Sequence, residues 1–87
     1  ATWLVDGGLS LERLHEELEL DEALPGEDEK TFHTVGGFVM HRLGRVPRET
    51  DIVEAAGLRF EVVDMDRQRV DKLLIARLSM PVEDDRE

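Results

Sequence analysis

With 87 residues, a net charge of −10 and no cysteine, the chain reads as one small domain without a disulfide framework, a thiolate metal site or a cysteine nucleophile. Twenty-one acids against 11 bases argue against a nucleic-acid partner and against docking on an anionic lipid surface, because both need clustered Lys and Arg. A chain this short buries only about 60% of its unfolded surface, which leaves room for one core and no deep enclosed active site. No run approaches the roughly 18 to 20 apolar residues of a membrane span, and no basic-then-apolar leader is present. The lack of cysteine fits a cytosolic setting, and the opening straight into ATWLV reads as a piece cut from a longer chain.

The charge is uneven. Residues 1–30 hold ten acids against Arg13 and Lys30, residues 31–78 are nearly balanced, and residues 79–87 hold four acids against Arg86.

In chain order, Thr2–Val5 is β-branched and aromatic, and Asp6-Gly7-Gly8 stops it as a turn would. Ser10 stands at an N-cap position, and Leu11, Leu14 and Leu18 form one stripe of a short amphipathic helix over 11–18, with Glu12, Glu16, Glu17 and Glu19 on the other face. Residues 19–30 (ELDEALPGEDEK) are polar and turn-rich and are expected to be the least ordered internal segment. Thr34 is the next N-cap. Val35, Phe38, Val39 and Leu43 then follow helical spacing, Gly44 ends the helix and Pro47 prevents its continuation.

After Pro47 the period changes. Residues 51–54 are expected as a short strand turned by Ala55-Ala56-Gly57. Leu58, Phe60 and Val62 alternate with Arg59 and Glu61, a half-buried antiparallel strand. Residues 64–69 read as a polar turn and 70–78 as a last strand with Leu73 and Ile75 inward. The three-residue step from Val70 to Leu73 implies a bulge near Asp71-Lys72. The expected fold class is α+β, in the order β-α-α-β-β-β, with a small, mostly antiparallel sheet covered by two helices. Residues 80–87 are expected as an acidic disordered tail.

No constellation for covalent chemistry is present. Ser10 and Ser79 are the only serines, and no spacing links them to a histidine. Glu12 and His15 make an E-x-x-H, but a carboxylate-bridged metal site needs a second such pair, and a solvated helix face accounts for it. Asp64-Met65-Asp66 lacks the remaining ligands of a calcium loop. Glu27, Asp28 and Glu29 are candidates for weak divalent-cation binding without a dedicated cage. Gly36 and Gly37 open a helix. They are candidates for receiving a phosphate on bare N–H groups, or else mark close packing of the helix on the sheet. Arg42, Arg45 and Arg48 form a small basic spot, read mainly as local ion pairing at a helix C-terminus.

Taken together, these pieces resemble the transporter-associated domain of the CorC/HlyC family, whose members read approximately T-x-x-G-[FL]-[VI]-x-x-x-L-G-x-[IV]-P-x-x-G-[DE], then G-[LF]-x-[FV]-x-V and R-[IV]. The matches here are Asp6-Gly7, then Thr34, Gly37, Phe38, Val39, Leu43, Gly44, Arg45, Val46, Pro47 and Asp51, then Gly57, Leu58, Phe60, Val62, Arg69 and Val70, covering Trp3 to about Leu78. Thr50 departs from the pattern, standing where a glycine is usual.

The resemblance implies a domain over residues 1–79, with Asp6, Gly7, Gly37, Gly44, Pro47, Gly57 and Phe60 as its structural signature. It implies a non-enzymatic regulatory or interaction module on the cytosolic side of a haemolysin-related magnesium and cobalt efflux protein. The expected partners are a CBS pair and a transmembrane region of the same parent, with a homodimer also open. The competing expectation is an adenine- or flavin-nucleotide binder, since FAD is inferred for this fold by analogy alone; a small enzyme stands third.

Overall fold

The computed structural model describes residues 2–78. Strand β1 (Thr2–Asp6) leads into helix α1 (Leu11–Leu18), a 3-10 turn at Glu27–Glu29, helix α2 (Val35–Leu43) and strands β2 (Ile52–Ala55), β3 (Leu58–Asp66) and β4 (Arg69–Arg77). The four strands form one antiparallel sheet in the order β1-β4-β3-β2. The expected architecture therefore stands, and β1 takes the edge beside β4.

Both helices start and stop where their local chemistry says. The Ser10 hydroxyl accepts from the Arg13 N–H at 3.2 Å, and the Thr34 hydroxyl accepts from the Gly37 N–H at 3.1 Å. Gly44 ends α2 in the left-handed region at φ 70°, donating to the Met40 carbonyl. The helices cover one face of the sheet, and their apolar stripes meet its inward side chains. Leu14, Phe38, Leu58, Phe60, Leu73 and Ile75 are fully buried. The Phe38 and Phe60 rings meet edge-on at 5.2 Å between centroids. Each such side chain contributes about 1.5–3 kcal/mol on leaving water.

The strand boundaries differ from expectation in three ways. β2 begins at Ile52 instead of Asp51, because the Asp51 side chain is occupied in the preceding turn. The hairpin to β3 turns on Ala56 and Gly57 alone, at φ 54° and 74°, the pair of positive angles that a tight primed turn requires. Finally, β3 and β4 run on to Asp66 and from Arg69, so the polar stretch 64–69 is mostly strand and the turn is Arg67-Gln68. Backbone pairing between β3 and β4 holds these polar residues extended.

The expected irregularity near Asp71-Lys72 is present. Pairing passes from Asp64↔Lys72 to Met65↔Val70 and skips Asp71, while a second skip passes over Val63 on the partner strand. Periodicity in β4 alone gave no sign of the second one. Val63 is left exposed as a result.

Residues 19–30, expected to be the least ordered internal segment, are fastened to the core. Leu24 is only 2% exposed and belongs to the core, and the 3-10 turn that follows it packs its Glu27 side chain back onto α1. Buried Leu24, with Leu20 packed partly against the same core, anchors an otherwise acidic segment.

Candidate functional site

The most constructed region lies where the two helix N-termini meet the β1–α1 turn. Ser10 and Thr34, the two N-caps, face each other in an antiparallel bridge. The Leu11 N–H donates to the His33 carbonyl at 3.0 Å, and the Val35 N–H donates to the Leu9 carbonyl at 3.0 Å. Each helix thus has its first free donor satisfied by the residue preceding the other's cap.

On α2 the accounting closes. Val35 donates to Leu9, Gly36 donates to the Gly7 carbonyl at 2.8 Å, and Gly37 donates to Thr34 Oγ1. These are the N–H groups a phosphate would have needed. Gly36 and Gly37 are therefore placed at a helix N-terminus as expected, but their donors are already used inside the chain.

The packing reading of the glycine pair divides between its two members. A Cβ on Gly36 would lie 2.9 Å from the Gly7 carbonyl oxygen, which is backbone, and 3.3 Å from Val70 Cβ. A Cβ on Gly37 would meet only the Phe32 and Thr34 side chains at 3.2 Å. Gly36 carries the close approach. Gly7 completes it, donating to the Asp71 carbonyl at 2.9 Å and lying so near the Val70 carbonyl that a side chain there would overlap it. The Asp6-Gly7 signature is thus a three-way junction of β1, α2 and β4.

Beside this junction is a cleft of about 300 Å³, lined by Gly8, Thr34, Gly37, Met40, Asp66 and Arg69 among others. It is at the lower end of ligand-pocket sizes, about 300–1,000 Å³, and small for a dinucleotide such as FAD.

The remaining sequence candidates are dispersed. Among the described residues no group of three or more His, Asp or Glu side chains gathers as a metal site. Glu27 turns inward: both its oxygens lie 2.9 Å from His15 Nε2, and Oε1 accepts from the Leu24 N–H at 2.8 Å. Asp28 and Glu29 stay exposed beside it. His15 thus does not work with Glu12. Its Nδ1 faces the Leu20 carbonyl at 3.0 Å. Partial burial opposes the imidazolium, but the Glu27 hydrogen bond, the Leu20 carbonyl and the Glu27 charge together raise its pKa. Asp64 and Asp66 lie on an extended strand, which cannot fold round an ion.

The arginine trio separates too. Arg45 makes a two-pronged pair with Asp51 at 2.9 and 3.0 Å, and Asp51 Oδ2 also accepts from the Arg48 N–H at 2.7 Å. The Arg45 hydrogen bond, then the Arg48 N–H, lower the Asp51 pKa to about 2. Arg42 and Arg48 keep exposed side chains. The signature residues Gly44, Pro47 and Asp51 therefore shape one connection, with Pro47 buried under it. Thr50, the departure from the pattern, sits at φ 75°. That left-handed angle is the reason a glycine is usual there.

Two contacts had no distinct sequence signal. Arg77 donates to the Leu18 carbonyl at 2.8 Å, closing the C-terminus of α1 onto β4, and its guanidinium lies 5.5 Å from the centre of the Trp3 ring. The His15–Glu27 pair is likewise invisible to spacing rules; its one trace was the two leucines, Leu20 and Leu24, inside an acidic segment.

Comparison with known proteins matches the whole described chain. The family model of the CorC/HlyC transporter associated domain covers residues 1–79. A polyamine export protein of Salmonella typhimurium is 42% identical over 77 residues, 88% of this chain, but only 17% of that protein's length, so the chain spans about a sixth of such relatives. The transporter associated domain of a Xylella fastidiosa hemolysin, solved in complex with Mg and Mn, superposes with a TM-score of 0.76 at 36% identity, covering 90% of this chain and 89% of that one. The corresponding domain of a CBS domain protein from Porphyromonas gingivalis has a TM-score of 0.78 at 26% identity, covering 90% of each chain. The family match over residues 1–79 and the superposition on solved members agree, and the chain belongs to the CorC/HlyC transporter-associated domain family.

Proposed function

We propose that this domain is a regulatory and interaction module of a CorC-like membrane transporter. It acts at the cytosolic face, modulates cation movement by the rest of the parent and catalyses no reaction. The observation that carries this reading is the N-terminus of α2: the N–H groups of Val35, Gly36 and Gly37, which a nucleotide phosphate or an oxyanion would use there, are taken by Leu9, Gly7 and Thr34. What remains for function is surface. Support for the setting comes from relatives six times longer, one named for polyamine export, and from a neighbour belonging to a CBS domain protein. A CBS pair and a transmembrane region are then the natural partners. No helix among the described residues is long and apolar enough to cross a membrane, so the crossing falls to other parts of the parent.

The cargo is a cation, either a divalent metal ion or a polyamine. Weak divalent-cation association with this domain is a second reading, favoured by the hemolysin domain solved with Mg and Mn and by the charge of −10. It needs no cage, since exposed carboxylates attract hard cations diffusely.

The test is flux through the full-length parent with and without residues 1–79, measured for Mg, Co and a polyamine in cells with equal amounts of inserted protein. A changed rate or a changed dependence on intracellular cation is expected. Identical flux in both forms overturns the regulatory reading. A yellow holoprotein, or a melting shift with FAD or ATP, would instead establish a nucleotide binder.

A further inference from the structure

The segment 19–30 is anchored in the core by Leu24, and beside that anchor it is tied to α1 by a side-chain contact that titrates. His15 offers both ring nitrogens to acceptors, Nδ1 to the Leu20 carbonyl at 3.0 Å and Nε2 to the Glu27 carboxylate at 2.9 Å. Neither acceptor can donate back, so only the doubly protonated ring satisfies both. The same carboxylate holds the Leu24 N–H at 2.8 Å, just beside the leucine that plugs the core. Loss of the ring proton leaves a lone pair facing either Glu27 or the Leu20 carbonyl, which turns one of the two attachments repulsive.

We propose that protonated His15 is a latch that holds residues 19–30 against α1, and that its deprotonation releases the Glu27 side of this strap. The strap carries Glu19, Asp21, Glu22, Glu27, Asp28 and Glu29. Release thus repositions a large share of the domain's acidic surface in response to pH, a regulatory property that stands whether or not the parent is a cation transporter.

The charged neighbours favour the closed form when the ring is charged. Glu27 is in direct contact, Glu12, Glu16 and Glu19 share or adjoin its turns of α1, and Asp28 and Glu29 flank Glu27. Asp21 and Glu22 lie in the strap itself. The nearest cation of α1, Arg13, is committed to Glu16 and Glu17. From α2, His41 comes up against the Gly26 turn with its ring on Phe32 at 5.1 Å, so its titration must be followed separately. The side chains of His15 and Glu27 are 24% and 21% exposed, enough for the proton to exchange with solvent without unfolding.

The experiment is an NMR titration of the 87-residue chain from pH 5 to 9, with ring nitrogen shifts for all three histidines and amide exchange of Leu24 corrected for its intrinsic pH dependence. His15 is expected to carry protons on both nitrogens at pH 6 and to titrate above the ordinary value of about 6.5. Leu24 protection should fall at least tenfold through the same transition. In Glu27→Gln, His15 should titrate nearer the ordinary value, with Leu24 protection low at pH 6 and flat across the range. A wild-type His15 midpoint at or below the ordinary value, Leu24 protection independent of pH, or protection that follows His41 instead each overturns the latch. These wild-type readings decide the matter even if the variant folds poorly.

Discussion

The Gly36 N–H donates to the Gly7 carbonyl at 2.8 Å, and neither residue has room for a side chain. This contact joins the first turn of α2 to the end of β1, and Gly7 in turn is bonded to Asp71 on β4. Gly36→Ala forces its new carbon against backbone that cannot yield locally. Overpacking of this kind costs about 1–3 kcal/mol, against which the better helix propensity of alanine returns up to about 1 kcal/mol. Urea denaturation should show a net loss of about 1–2 kcal/mol. Gly37→Ala meets only side chains and should stay within about 0.5 kcal/mol of the parent. Equal losses at both positions would place the close approach on the wrong glycine.

Thr50 holds φ 75° while its N–H donates to the Val62 carbonyl at 2.8 Å. A left-handed L-residue costs about 1–2 kcal/mol. Thr50→Gly relieves that strain but gives the unfolded chain more freedom, worth about 0.4–1 kcal/mol. The expected result is a stabilisation of about 0.5–1 kcal/mol, read as a higher urea midpoint at constant slope. A lower midpoint would mean that the threonine side chain makes a compensating contact.

Leu24 closes the core under the acidic strap. Leu24→Ala should cost about 2–3 kcal/mol, the low end of buried leucine truncations, because the strap can settle into part of the space. Were residues 19–30 a free loop, the same change would move the melting temperature by no more than a typical surface substitution.

Asp51 ties Arg45 and the Arg48 N–H into the turn before β2. Its folded pKa, about 2, lies below the unfolded aspartate value of about 3.9. Its contribution is therefore present above the unfolded value and is lost as pH falls towards the folded one. Denaturation midpoints of wild type and Asp51→Asn should differ at pH 5 and converge as the pH approaches 2. A gap that persists unchanged at low pH would show that the interaction does not depend on the carboxylate charge.

What the sequence determined by itself was local. Ser10 and Thr34 cap helices because their hydroxyls reach an N–H three residues on, and Gly44 ends α2 because a left-handed residue is needed there. The alternation of Leu58, Phe60 and Val62 marked one face of β3 in the same way. The family signature was legible for the same reason, being mostly a record of turns and caps. Tertiary structure decided whatever depends on partners distant in the chain. Nothing near Glu27 says that its carboxylate is given to His15, twelve residues back, and not to a cation. Nothing within the Gly36-Gly37 pair says which one faces the Gly7 carbonyl, since that follows from the angle at which α2 crosses the end of β1. Likewise the N–H groups of Val35 and Gly36 looked free in sequence and are spent in the fold, because the β1–α1 turn brings the Leu9 and Gly7 carbonyls alongside the first turn of α2.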